Sequence, residues 1–180
     1  MASRKHSVGE FSRRSLLGIA GATLIAFQAD ALDSAIQPGT LKPGQFVWAP
    51  ELSPRGPVAI VVSIPEQLVH VYRGGVRIGV STCSTGTAGH RTPTGVFTIL
   101  QKNRDHYSNL YDNAPMPNMQ RLTWTGIALH AGHLPGYPAS HGCIRLPRDF
   151  SDKLFETTHM GTPVIIAGTS DDPWFLQKPG

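Results

Sequence analysis

Cys83 and Cys143 are the only cysteines in 180 residues, so the chain can close at most one disulfide on itself. In an oxidising compartment such a pair is ordinarily read as a bond, whereas a cysteine that does chemistry has to be free while it turns over. Long apolar runs are equally scarce. The one candidate, Leu16 to Phe27, is too short to cross a bilayer comfortably, and no other segment approaches it. No internal repeat or heptad pattern is present. Concentrated positive charge is missing too. The formal charge is +4, but four of the 16 basic and two of the 12 acidic residues fall in the first 31 positions, which leaves about +2 for the rest. That is no nucleic-acid footprint, and no nucleic-acid partner is expected. Mild basicity suits instead a polymer that carries carboxylates, such as an acidic cell wall.

The composition divides the chain into four parts. Residues 1–31 predict a cleavable export signal: "SRRSLLGIAGATLIAFQADA" has a basic start, an apolar run, and Ala29 and Ala31 in an A-x-A arrangement. Ser12-Arg13-Arg14 with two leucines following is similar to a twin-arginine signal. Processing after about Ala31 would leave no stable membrane span and would place the domain in a periplasm. Residues 32–57 hold five prolines and glycines at 39, 44 and 56, the composition of a lead-in arm, with a short strand possible only at "QFVW". Residues 58–168 form the body, and 169–180 a tail.

Within the body the apolar period is two. "VAIVVSI", "QLVHVYR" and "GVRIGVST" read as successive antiparallel strands joined by tight turns, and "TGVFTIL", "TWTGIALHA" and "TPVIIAG" as three more. One segment reads as a helix, "PRDFSDKLFETTHMG": Phe150, Leu154 and Phe155 share a face, Pro147 and Asp149 suit the first turn, and Gly161 supplies a stop. Residues 101–121 show no period and are expected to be a long loop, of the length that lids and binding edges often have. The expected class is mainly β, with one helix packed beside the site.

The chemistry concentrates in "YPASHGCIRLP". A thiol attacks as its thiolate, so a working Cys143 needs a base or a cation at hand. His130, which alternation puts on the face of Ala128, and His141, two residues before the cysteine, are both candidates, and spacing does not choose between them. Gly142 lets the backbone turn N–H groups toward a substrate carbonyl, as an oxyanion hole requires. The helix that starts near Pro147 is expected to favour a thiolate through its N-terminal dipole. Arg145 should share a strand face with Cys143 and could hold a carboxylate by two parallel bonds.

"IALHAGHLPGYPASHGCIRLP", together with the upstream "STGTAGHRTPTGVFTI", resembles the signature of the L,D-transpeptidase (YkuD-type) catalytic domain family across about residues 58–168. The resemblance implies a β-sandwich or open-barrel-like fold. It implies Cys143 as nucleophile, His130 as general base, the Ala131 carbonyl as the group that orients the imidazole, an oxyanion hole at His141 and Gly142 made from backbone N–H groups around Gly142 and Cys143, and Ser140 and Arg145 as substrate-binding residues. Arg145 stands where many members have asparagine. Only nine residues separate His130 from Ser140, a short loop, and His133 within it has no family role.

By the same resemblance the reaction is ping-pong acyl transfer on peptidoglycan stem peptides: D-alanine leaves a tetrapeptide donor, and an amine of a second stem, or a lysine of an outer-membrane protein, resolves the thioester. No cofactor is implied. The rival readings are a zinc site built from His130, His133, His141 and Cys143, a wall-binding module without catalysis, and the same chemistry with water, as a carboxypeptidase or amidase. Cys83, in "VSTCSTG", is read as a packed side chain near a strand end.

Overall fold

The computed structural model describes residues 40–108 and 113–168. The export signal expected at residues 1–31, the first part of the arm and the 169–180 tail lie outside the described residues. Ten strands and one α-helix follow in chain order: β1 (Phe46–Trp48), β2 (Val58–Ser63), β3 (Leu68–Arg73), β4 (Val76–Thr82), β5 (Gly95–Thr98), β6 (Gln101–Tyr107), β7 (Pro115–Arg121), β8 (Ala128–Ala131), β9 (Ile144–Leu146), α1 (Arg148–Thr157) and β10 (Pro163–Ala167). They build a six-stranded sheet in the order β1-β4-β3-β2-β10-β5 and a four-stranded sheet in the order β6-β7-β8-β9. Among the described residues the architecture is mainly β with one α-helix, as expected.

The alternation in β2 to β4 does what its period requires. Ile60 and Val62 point inward from β2, Val69 and Val71 from β3, and Ile78 and Val80 from β4, all fully buried. The β2–β3 and β3–β4 pairs are antiparallel, as tight turns demand, while β10 returns to lie parallel to β2. One contiguous core joins Ile60, Val71 and Ile78 of this sheet to Leu129, Ile144 and Leu146 of the other and to Phe150 and Leu154 of α1.

The short strand read at "QFVW" is present as β1, which pairs antiparallel with β4, and Phe46 and Trp48 set their rings 5.6 and 5.5 Å from that of Phe150. Their aromatic area covers the start of the helix that follows the cysteine motif. Two other expectations need correction. Residues 101–107 and 115–121, expected to belong to a long loop, are the paired strands β6 and β7. Their charge concealed them. Lys102 and Arg104 lie 4.2 and 4.6 Å from the Phe155 ring centroid, and Lys102 Nζ donates to the carbonyls of Phe155 and Thr158 at 2.5 and 2.6 Å. A lysine thereby satisfies carbonyls that the helix leaves open and meets the negative end of its dipole.

The helix also stops before Gly161. Its last carbonyls turn at Thr158, whose N–H and hydroxyl both donate to Leu154 O, at 3.1 and 2.9 Å, and Gly161 with φ +86° serves the next turn instead.

In β7 the left-handed Asn118 (φ +57°) interrupts the pairing with β6. Its amide bridges to Asp152 of α1 at 2.6 Å, and the kink lets Met116 and Met119, three apart, line the same pocket.

Candidate active site

Strand register assembles the site. β8 and β9 run parallel with Leu129 opposite Ile144 and His130 opposite Arg145. Alternation sends Leu129, Ile144 and Leu146 into the core and turns His130, Arg145 and Cys143 to the other face. There the three line one cleft of about 320 Å³ with Ser140, His141 and His133.

His130 is buried, with 7% of its surface exposed. Its Nδ1 lies 2.8 Å from Ala131 O. A carbonyl can only accept, so Nδ1 carries the proton and Nε2 is left as the lone pair. Burial pulls the His130 pKa down to about 4; the Ala131 bond opposes the shift, and the Arg145 and His106 charges add to it. The imidazole is therefore neutral near pH 7. His141, the other candidate base, is exposed and packs its ring 4.8 Å from that of His90. The His130 ring is fixed by a backbone carbonyl within the cleft.

Cys143 is partly buried, and its thiol donates to Gly126 O at 3.3 Å. Burial pushes its pKa up; a hydrogen bond from the Ala128 backbone and the charges of Arg145 and Arg121 offset part of that rise. The expected help from the helix dipole does not arrive. Four residues, the three of β9 and Pro147, separate the cysteine from α1, roughly 13 Å of extended chain, and a helix terminus acts within about one turn. Cys83 is a free thiol in the core cluster, pushed up to about 12 by burial.

The Ser140–Cys143 turn is locked by its own first residue. Ser140 Oγ donates to Cys143 O at 2.5 Å and accepts the Gly142 N–H at 3.0 Å. The Gly142 N–H is thus already committed and is not the open donor that the sequence suggested. What Gly142 contributes is shape: its φ is +112°, and a Cβ there would stand 2.8 Å from Ile127 Cδ1.

Residues 84–92 hold this turn from outside, a role that the sequence reading did not find. Thr92 Oγ1 accepts the Gly86 N–H and donates to Gly142 O, both at 2.8 Å. Thr85 O accepts the N–H groups of Ala139 and Ser140 at 3.0 Å, and Thr85 is itself clamped by the amide of Gln67. Ser84 Oγ donates to Tyr137 O at 2.8 Å. The run of small hydroxyl residues in "CSTGTAGHRT" was the available signal, since such side chains bond to backbone in turns. The short loop between His130 and Ser140 is therefore tied down at its C-terminal end, at Tyr137 and Ala139.

Arg145 lies across Gly132, where a Cβ would meet its Cγ at 3.1 Å. Its guanidinium has no hydrogen bond or ion pair among the described residues. His133 is exposed at the rim. Among the described residues no three His, Cys, Asp or Glu side chains are placed to hold a metal ion, so the four proposed zinc ligands do not converge.

The model of the YkuD L,D-transpeptidase catalytic domain matches residues 57–166. The chain belongs to this family. Solved structures agree with that membership. An L,D-transpeptidase from Stackebrandtia nassauensis is 29% identical over 63% of this chain and 56% of its own, with a TM-score of 0.58. One from Mycobacterium tuberculosis H37Rv is 27% identical over 61% and 57%, with a TM-score of 0.58. L,D-transpeptidase 3 of Mycobacterium tuberculosis, in complex with a faropenem-derived adduct, is 26% identical over 61% and 59%, with a TM-score of 0.56. The chain spans somewhat more than half the length of these structures. Comparison with curated proteins gave no match.

Proposed function

We propose that this chain is an exported, periplasmic L,D-transpeptidase that acts on peptidoglycan stem peptides, with Cys143 as nucleophile and His130 as base. One observation carries the assignment of roles: His130 and Cys143 share a cleft, and the bond from Nδ1 to Ala131 O leaves Nε2 free to accept a proton. The N-terminal sequence supports export.

In the first half-reaction the S–H turns from Gly126 O to His130 Nε2, which takes its proton as sulfur attacks the carbonyl between the third residue of the donor stem, diaminopimelate, and the D-alanine at position four. The oxyanion forms at the Ser140–Cys143 turn. Because Ser140 occupies the Gly142 N–H, the Cys143 N–H is the donor assigned to it. His130 then returns the proton to the departing amine, the C–N bond breaks, and a thioester remains. In the second half-reaction an amine attacks the thioester, His130 takes the amine's proton, and sulfur leaves and is reprotonated. An acceptor amine on a second stem gives a wall cross-link, and a lysine of an outer-membrane protein gives an anchor. Arg145, unpaired in the cleft, meets a substrate carboxylate.

The neutral resting pair fits this order. The thiol begins protonated because burial raises it, and the base begins unprotonated because burial lowers it. The two Arg charges near sulfur favour the thiolate once it forms.

The test is mass spectrometry of the mature protein with purified tetrapeptide muropeptides, beside Cys143→Ala. D-alanine release and a cross-linked product, both lost in the variant, are expected, and the product identifies the acceptor. A penem should add its mass to the Cys143 peptide, as the faropenem-derived adduct of the Mycobacterium tuberculosis relative suggests. Cross-linking that survives Cys143→Ala would overturn the assignment.

A further inference from the structure

Arg121 stands in the same row of the four-stranded sheet as Cys143. β7 and β8 pair Arg121 with Ala128. Continuing the β8–β9 register one residue from Leu129 and Ile144 sets Cys143 beside Ala128. Two strand spacings, roughly 10 Å, thus separate the backbones of Arg121 and Cys143, and the side chain between them is a methyl group. Over this row opens a second pocket of about 150 Å³, lined by Arg121, Trp124, His106, Met116, Met119 and Ala128. It adjoins the His130 cleft, with which it shares Met116.

The guanidinium of Arg121 is held in place but not used up. Its Nε donates to Gln101 Oε1 at 2.9 Å, and its carbon lies 5.8 Å from the ring centroid of Trp124, a side chain left 75% exposed. Its two terminal amino groups have no hydrogen bond or ion pair among the described residues. Two parallel donors on a fixed plane are the arrangement that a carboxylate takes up bidentately, and a lysine could not reproduce it.

We propose that Arg121 is a specificity-determining residue that pairs with the carboxylate on the side chain of the donor's acyl residue, so that this pocket selects stems whose third residue carries an acid. The inference rests on the transpeptidase reading above. Proton transfer puts the amine that leaves, and the one that enters, beside His130. Arg145, in register with His130, therefore meets the α-carboxylate that neighbours that amine. The acyl residue stays on sulfur, and its side chain has to extend elsewhere. The space across Ala128 holds one side chain and not a peptide. Diaminopimelate ends in a carboxylate and an ammonium group three methylenes beyond its α-carbon, within reach of a guanidinium two strands away.

The experiment compares kcat/KM for D-alanine release from two synthetic tetrapeptide stems, one with meso-diaminopimelate and one with L-lysine at position three, in the wild type, Arg121→Gln and Arg121→Lys. Removing the Arg121 charge also affects the thiol, but that effect, like any partial loss of folded protein, acts on both donors and cancels in the ratio. The expected wild-type preference for the diaminopimelate donor falls at least about tenfold in Arg121→Gln, the loss of a charge-assisted pair, and to an intermediate value in Arg121→Lys. A ratio within about twofold of wild type in Arg121→Gln, or no wild-type preference between donors that are both turned over, overturns the proposal and leaves the transpeptidase reading standing. A wild type that releases D-alanine from neither stem overturns that reading and this one with it.

Discussion

Acidifying the protein should expose the cost of its buried base. His130 has a pKa of about 4 in the folded state against 6.5 for an unperturbed histidine. Above pH 6.5 it is neutral whether the chain is folded or not, and it contributes no pH dependence. As pH falls from 6.5 toward 4 the unfolded chain gains a proton that the folded one refuses, so stability drops, and below 4 the loss levels off. The full difference corresponds to about 3 kcal/mol, and about 2.5 kcal/mol of it is already lost at pH 4.5. Carboxylates titrate in part of the same range, so the effect has to be isolated by difference. Urea unfolding at pH 7.5 and 4.5, in wild type and His130→Gln, should show a stability drop larger by about 2 kcal/mol in the wild type. The side chain is only 7% exposed, so little solvent screening reduces that figure. Equal drops in the two proteins would mean that the imidazole protonates freely in place, and the neutral base on which the mechanism depends would be gone.

Gly86→Ala should destabilise the protein by at least about 2 kcal/mol by overpacking, because the new Cβ would stand 1.9 Å from His90 O, 2.8 Å from Thr92 N and 3.0 Å from Gly142 Cα. Gly89→Ala in the same loop meets nothing within 4 Å and should leave the urea midpoint where it is; equal effects would refute the packing argument. Thr92→Val keeps the shape but strips the Gly86 N–H and the Gly142 carbonyl of their shared partner, a loss of about 2–4 kcal/mol that Thr92→Ser should largely restore. A stable Thr92→Val protein in equilibrium unfolding would show that the turn does not need its outer brace.

The meander of β2, β3 and β4 was legible because each strand buries one face, and the period of two is then written directly in valine and isoleucine. The β6–β7 hairpin was hidden because its long cationic side chains find partners on α1, Lys102 and Arg104 on Phe155 and Arg104 on Glu156. A strand whose burial is supplied by the stems of lysine and arginine leaves no apolar alternation to read. Asn118 adds a kink that shifts the alternation partway along β7. In the arm the short strand at "QFVW" was legible but its packing was not, because the worth of Phe46 and Trp48 depends on Phe150, about a hundred positions away. At the site, the motif pointed to Cys143 and His130, which line one cleft. It did not announce the hydroxyl network of residues 84–92, since side-chain bonds to a distant backbone leave no spacing in sequence. Nor could it show that Ser140 takes the Gly142 N–H, which depends on where one hydroxyl oxygen lies.

The two free cysteines have contrasting surroundings in this fold. Burial raises the pKa of both. At Cys83 nothing opposes it: the residue sits at the end of β4 among core side chains, and its value reaches about 12. At Cys143 the Ala128 backbone, Arg145 and Arg121 all act against burial, and the sulfur opens onto a cleft that also holds a neutral imidazole. The register of β7, β8 and β9 supplies every one of these terms: Ala128 stands between Arg121 and the cysteine, and Arg145 follows two residues later on the same face. A register shift of one residue would turn Cys143 and His130 into the core and Leu129 and Ile144 to the cleft. The sheet that buries Leu129, Ile144 and Leu146 therefore holds the reactive face in place, and the hydrophobic core and the chemistry are specified by the same strand pairing.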